Sequence, residues 1–275
     1  MKQRLVLLYD DHCPLCQWYS ACFVQLGLLP DDGRQALGSY SPATHLPQPD
    51  MQRAQHEIPL VDAEANTVRY GIDALLTILE QRYAGLVRVA RFPFVYAALQ
   101  ALYAFISYNR RIIAGASACT GACRPDYHAG WRLTWLVFCI TWAVILTMWA
   151  GHLVGEVWLG TGLSVGVSLA AIGGGWLLYM LSLVHLPRQQ AVDYLGHLGT
   201  MMLVGVLLLV PACLCATLIA TNSRWRWCGS VLLSFGTMTA MHWRRLRACG
   251  LPVWRLYLWV ACLLLTASTC LLLLV

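Results

Sequence analysis

The sequence predicts two structural classes in one chain: a small α/β domain at the amino end, followed by an all-α membrane domain of about five transmembrane helices. Three observations carry that expectation. Charge is divided unevenly: residues 1–131 hold 11 Lys or Arg and 11 Asp or Glu, whereas residues 132–275 hold 8 Arg, no Lys, and only Glu156 and Asp193 as acids. The second part contains long apolar segments near the roughly 20 residues that cross a bilayer. In the first part, short apolar runs alternate with amphipathic helical patterns. The expected divisions are residues 1–86 for the α/β domain, 87–131 for an amphipathic helix and connecting segment, and 132–275 for the membrane domain.

The elements of the first part follow in order. Residues 5–9, LVLLY, form a strand. Residues 14–28 form a helix, with Pro14 suited to the first turn because its missing N–H is unused there. Pro30, Asp31, Asp32 and Gly33 mark a turn before a second strand over 34–40. The polar stretch SPATHLPQPDMQRAQH supplies a loop and a short helix. Residues 58–61 and 67–70 read as two strands joined by the turn DAEAN, and Ile72, Leu75, Leu76 and Leu79 give helical periodicity over 72–83. The order β-α-β-(α)-β-β-α is that of a small thioredoxin-like domain. Residues 88–106, aromatic and apolar behind a basic start, form an amphipathic helix for the membrane surface or the bundle.

Cys13 and Cys16, in LVLLYDDHCPLC, lie where the first strand ends and the helix begins. A thiolate near a helix start is stabilised by free backbone N–H groups and the positive end of the helix dipole. The second cysteine then lies within reach to resolve a mixed disulfide. The competing zinc reading needs further ligands, and no second C-x-x-C or His-x-His follows, so two thiolates leave the tetrahedral shell incomplete. His12 beside the nucleophile would lower its pKa if protonated, whereas Asp10 and Asp11 would raise it.

Apolar segments near 133–154, 162–185, 198–220, 228–242 and 253–275 are the five candidate spans, the fourth being short. With five spans, Arg110, Arg111, Arg124, Arg132, Arg188, Arg244, Arg245, Arg247 and Arg255 fall on one side and Arg224 and Arg226 on the other. The positive-inside bias then places the amino-terminal domain in the cytoplasm of a multi-pass protein, with a bacterial inner membrane as the expected setting. The net charge of +6 is therefore a topology signal, and no nucleic-acid partner is expected. The apolar run of residues 5–8 is too short for an export signal, so the twelve cysteines are expected as thiols in a reducing compartment.

Cys119 and Cys123, in ASACTGACRPDYH, are candidates for a second dithiol exchanging with the first; the alternative is two small packing residues. His185, His197 and His242 end or begin spans, and Asp193 joins them. Ionisable groups at membrane depth are functional candidates by default, for a metal, a haem, a quinone head group or proton transfer; snorkelling to interfacial water is the alternative. Gly162, Gly166 and Gly173 to Gly175 stand at small-residue spacing for close helix packing.

The string YDDHCPLC resembles the YDGxCxxC signature of the DCC family of thiol-disulfide oxidoreductase-like proteins. IPLVDAEANTVRYGIDALLTIL is similar to that family's second block, and FVYAALQALYAFISYNRR, with its closing Asn-Arg, also resembles it. The resemblance covers roughly the first 115 residues. One departure is Asp11, where the family has Gly. The resemblance implies Cys13 as attacking thiol, Cys16 as resolving thiol, a cis peptide before Pro59, with an ordinary trans proline at a strand start as the alternative, and Asp10 as proton acceptor or helix cap. The expected function is a membrane-anchored thiol-disulfide oxidoreductase acting on a protein or small-molecule thiol or disulfide. The alternative is a transporter or an assembly or scaffold protein whose amino-terminal domain is a binding module.

Overall fold

The structure is a computed structural model, and it describes residues 5–41, 47–115, 127–159, 165–218 and 224–272. Its internal contacts divide the chain into two units, residues 1–131 and 132–275.

The first unit is built on a four-stranded mixed sheet. Leu5–Tyr9 (β1) is followed by Pro14–Gln25 (α1), Arg34–Ala36 (β2), a 3-10 turn at Leu37–Ser39, Met51–Ala54 (α2), Pro59–Asp62 (β3), Thr67–Tyr70 (β4), Gly71–Ala90 (α3) and Pro93–Ala114 (α4). The strand order is β2-β1-β3-β4, with β2 parallel to β1, and with β3 antiparallel to both β1 and β4. Strand side chains alternate between faces, and both faces of the central strands are covered. Leu5, Leu7, Ile58 and Leu60 pack with Leu28, Leu29, Ala74 and Ile78 on one side; Leu8 and Val61 pack with Leu37 and Ala54 on the other. The predicted element order is present, and the second strand is shorter than 34–40 because the chain tightens into the turn at Leu37.

Gly71 turns β4 into α3 at φ +58°, a left-handed conformation that costs any residue bearing a Cβ. A Cβ there would also stand 3.1 Å from the Glu57 Oε2 and 3.3 Å from the Tyr103 ring. The α3–α4 boundary comes from Pro93. Phe92 before it is held extended, at φ −62° and ψ 133°, so the helix stops and the next begins after a bend of 109°. Two helices therefore replace the single amphipathic helix expected over 88–106.

The second unit is helical: Ala129–Leu159 (α5, entered from the first unit), Val165–Leu181 (α6), Arg188–Leu207 (α7), Val210–Leu218 (α8), Arg224–Ala248 (α9) and Trp254–Leu272 (α10). Trp176, Tyr179, Tyr194, Met201, Leu246 and Trp259 form its main core. A Cβ at Gly175 would lie 2.9 Å from the Thr266 Oγ1 and 3.1 Å from the Cys262 carbonyl, so α6 and α10 approach closely there because the side chain is absent. Gly173 meets nothing within 4 Å and has no such role.

Five spans are not found among the described residues. Among the described residues, two stretches are long and apolar enough to cross a membrane: Ala129–Val154 at mean hydropathy 1.9, and Arg188–Leu218 at 2.5. A third exists only if the bent pair α3 and α4 is counted as one. Among the described residues α6 spans 17 positions, Val165–Leu181. α9 carries Arg224 and Arg226 at one end and Arg244, Arg245 and Arg247 at the other, and Trp254–Thr266 qualifies only as a shorter apolar helix.

Candidate active site

The site begins where β1 ends. The Asp10 carbonyl accepts the Cys13 N–H at 3.2 Å and its Oδ1 accepts the His12 N–H at 3.0 Å, a turn that short acidic side chains favour. This turn delivers Cys13 to the cap position of α1 with extended backbone, and Pro14 fills the first helical position. Cys16 follows three residues later on the same helical face. Both residues are thiols, and both are buried, at 0% and 1% exposure.

Arg110 reaches the pair from α4. Its Nη1 lies 3.7 Å from the Cys16 Sγ, while its Nη2 donates to the Asp10 Oδ2 at 3.0 Å and to the Gln55 carbonyl at 3.2 Å. Asp10 also has Arg111 at 3.9 Å. The guanidinium thus joins the Asp10 carboxylate, the α2 end and the Cys16 thiol in one buried network. A buried carboxylate needs such a partner, because an unpaired one would carry its full desolvation cost.

The electrostatics separate the two thiols. Cys13 is held well below its ordinary 9.0, at about 6, chiefly because the Cys16 thiol donates a hydrogen bond to it. Burial opposes this, the Cys16 backbone N–H and the Arg110 charge reinforce it, and Asp10 opposes it. Cys16 is pushed up, first by that same donated hydrogen bond and then by burial, with Arg110 opposing. One sulfur is therefore poised as a thiolate and its neighbour keeps its proton, the division that attack and resolution require.

Other expectations fare differently. Asp10 accepts the His12 N–H ahead of the helix, so it shapes the turn, and Cys13 takes the cap position expected of it. His12 is exposed and its Nδ1 pairs with the Asp11 Oδ1 at 2.9 Å, and the positive charge that helps to lower the Cys13 pKa is that of Arg110. Asn66 has the one positive φ among the described non-glycine residues, so the turn at Asp11 does not need the conformational freedom of glycine. Pro59 is buried at the start of β3, but its peptide is trans, as are all those described. The trans bond fits its ladder: the Ile58 carbonyl accepts from Gly71 at 3.0 Å and the Ile58 N–H donates to the Tyr103 hydroxyl at 2.8 Å. Cys119 and Cys123 lie outside the described residues.

The four membrane candidates do not form one ligand set. His197 meets Arg245 at 2.9 Å, His242 meets the Tyr194 hydroxyl at 2.7 Å, Asp193 meets Arg132 at 2.8 Å, and His185 is exposed beyond α6. Among the described residues, the one group of three close enough for a metal ion is Asp10, Asp11 and His12, and Asp10 there already holds Arg110. No metal site at the histidines follows from this arrangement.

Arg110 is the residue that sequence reasoning misread, as a charge that sets topology. A signal was present: residues 92–109 carry no charge at all, and Arg110 closes that stretch within the string FVYAALQALYAFISYNRR.

Comparison with known proteins bears out the family resemblance. Residues 7–116 match the family model described as DCC1-like thiol-disulfide oxidoreductase, a segment that contains Asp10, Cys13, Cys16 and Arg110. Neither the curated proteins nor the solved structures contain a match.

Proposed function

We propose that this chain is a membrane-anchored thiol-disulfide oxidoreductase whose amino-terminal, thioredoxin-like domain faces the cytoplasm. The observation that carries the reading is the asymmetric dithiol, with Cys16 donating to Cys13 while Arg110 bridges Cys16 and Asp10. The match to a thiol-disulfide oxidoreductase family over residues 7–116 supports the reaction class. The two apolar helices support anchoring, and the arginines around them support the sidedness.

In the reducing direction, the Cys13 thiolate attacks one sulfur of a substrate disulfide; a Cys13–substrate bond forms, and the first substrate sulfur leaves as thiolate and takes a proton from water. Cys16 then loses its proton, with Asp10 as the nearby acceptor and Arg110 stabilising the new thiolate. Its attack on the Cys13 sulfur expels the second substrate thiolate. The substrate gains two electrons and two protons, and a Cys13–Cys16 disulfide remains for a cellular thiol to reduce.

Purified full-length protein in nanodiscs tests this with a small aromatic disulfide as substrate and reduced glutathione as reductant. Turnover is expected to vanish in Cys13→Ser, and Cys16→Ser is expected to accumulate a mixed disulfide at Cys13. Equal turnover in Cys13→Ser would sink the proposal.

A further inference from the structure

We infer that the elbow between α3 and α4 is a membrane-contacting surface, dipping into the headgroup and acyl boundary of a leaflet that contains anionic lipid. It supplies a membrane contact in the first unit, separate from the anchoring proposed for residues 132–275, and it does not depend on the chemistry of the dithiol.

The outer surface of the elbow is unlike that of a water-facing helix. Phe94 is 82% exposed, and Leu86, Val89 and Phe92 are each more than half exposed. Along α4, Val95, Ala98, Leu102 and Ile106 continue this face at helical spacing. Not one of residues 92–109 is charged. A soluble domain rarely leaves so large an apolar patch bare.

The inner side of the elbow is already satisfied. Leu76, Val87 and Ala90 pack against Tyr96 and Leu99, and the Tyr96 hydroxyl donates to Asp73 at 2.9 Å. The exposed residues are thus not the core of a loosely docked helix. Taken together, α3 and α4 meet the length and hydropathy test for a span, but their 109° bend makes them a broken or re-entrant segment.

The charges say which surface fits. Arg82, Arg88 and Arg91 stand on the α3 side of the apolar tip against two acids, Asp73, which accepts from Tyr96, and Glu80, which Arg91 holds at 3.1 Å; Arg82 donates to the Leu26 carbonyl at 3.1 Å, and Arg88 is exposed. Long cationic side chains beside an exposed aromatic and aliphatic tip reach anionic headgroups while the tip enters the boundary. A binding groove for a soluble protein would present polar groups at its rim on both helices; the α4 half of this patch presents none that is charged.

The test uses the full-length chain in nanodiscs of phosphatidylethanolamine and phosphatidylglycerol, with p-benzoylphenylalanine in place of Phe94 or, separately, of Val89. The same substitution at exposed Gln52 serves as reference. After irradiation and mass spectrometry, lipid adducts at both elbow positions are expected at least tenfold above Gln52. Exchange of phosphatidylglycerol for phosphatidylcholine should lower them at least twofold. Adducts to residues 132–275, or lipid adducts no higher than at Gln52, overturn the inference. Alkaline carbonate extraction of the same samples reads the anchoring separately: a chain retained by the bilayer with a silent elbow defeats this inference and leaves the anchoring intact.

Discussion

Replacing Arg110 with Gln should raise the pKa of Cys13 while leaving both thiols in place. At about 6, Cys13 is about nine-tenths thiolate at pH 7, whereas a thiol at the ordinary 9.0 would be about one-hundredth ionised. Arg110 stands behind the Cys16 hydrogen bonds among the causes of that lowering, so its removal should restore about 1 unit, the lower end of what a neighbouring opposite charge supplies. The thiolate then falls about twofold at pH 7 and about tenfold at pH 5, where the difference is easiest to read. The assay is the initial rate of Cys13 alkylation by iodoacetamide, followed by peptide mass spectrometry from pH 4.5 to 9.5. Two companion variants fix the sign. Cys16→Ala, which deletes the largest cause, should move the midpoint up further than Arg110→Gln, and Asp10→Asn should move it down. A wild-type midpoint at or above roughly 8.5, or an Arg110→Gln midpoint that does not move, refutes the reasoning.

Two more outcomes are expected. Because Cys13 is depressed in the folded state, its stabilisation is complete above the unfolded value of 9.0 and is lost as pH falls through about 6. The denaturation midpoint should therefore rise from pH 6 to pH 8.5 in the wild type and flatten in Cys13→Ser. Arg110→Met leaves the buried Asp10 carboxylate without its 3.0 Å partner and should destabilise the first unit by about 3–5 kcal/mol, as for other broken buried pairs. The Asp10→Asn/Arg110→Met double variant should recover much of that loss in chemical denaturation; strict additivity of the two single losses would show that the pair is not coupled.

Legibility followed locality. Cys13 and Cys16 were recognisable because a strand, a proline and a three-residue spacing lie within a dozen positions, and those neighbours set their geometry. The strands at Leu5–Tyr9 and Thr67–Tyr70 were visible from the same short-range patterns. The elbow at Pro93 was missed although its cause is local, because helical periodicity continues on both sides of the break and hides it. In the apolar part, hydropathy located the segments, but among the described residues only two helices, or three with the bent pair, meet the length and hydropathy of a span, and α9 carries arginines at both ends.

By itself, the sequence determined that this chain carries a dithiol at a strand-to-helix junction, on a charged domain joined to an apolar one. Those features depend on residue types and spacings within a few turns. Only the tertiary structure decided which charge meets the thiols: Arg110, 94 residues from Cys16, displaced the adjacent His12 from that role. It also decided that Pro59 is trans, that His197, His242 and Asp193 are held by separate partners, and that His185 is exposed. The physical reason is common to Arg110 and to the buried candidates. A buried ionisable or polar group takes the partner that the fold brings within about 3–4 Å, and distance along the chain has no part in that choice.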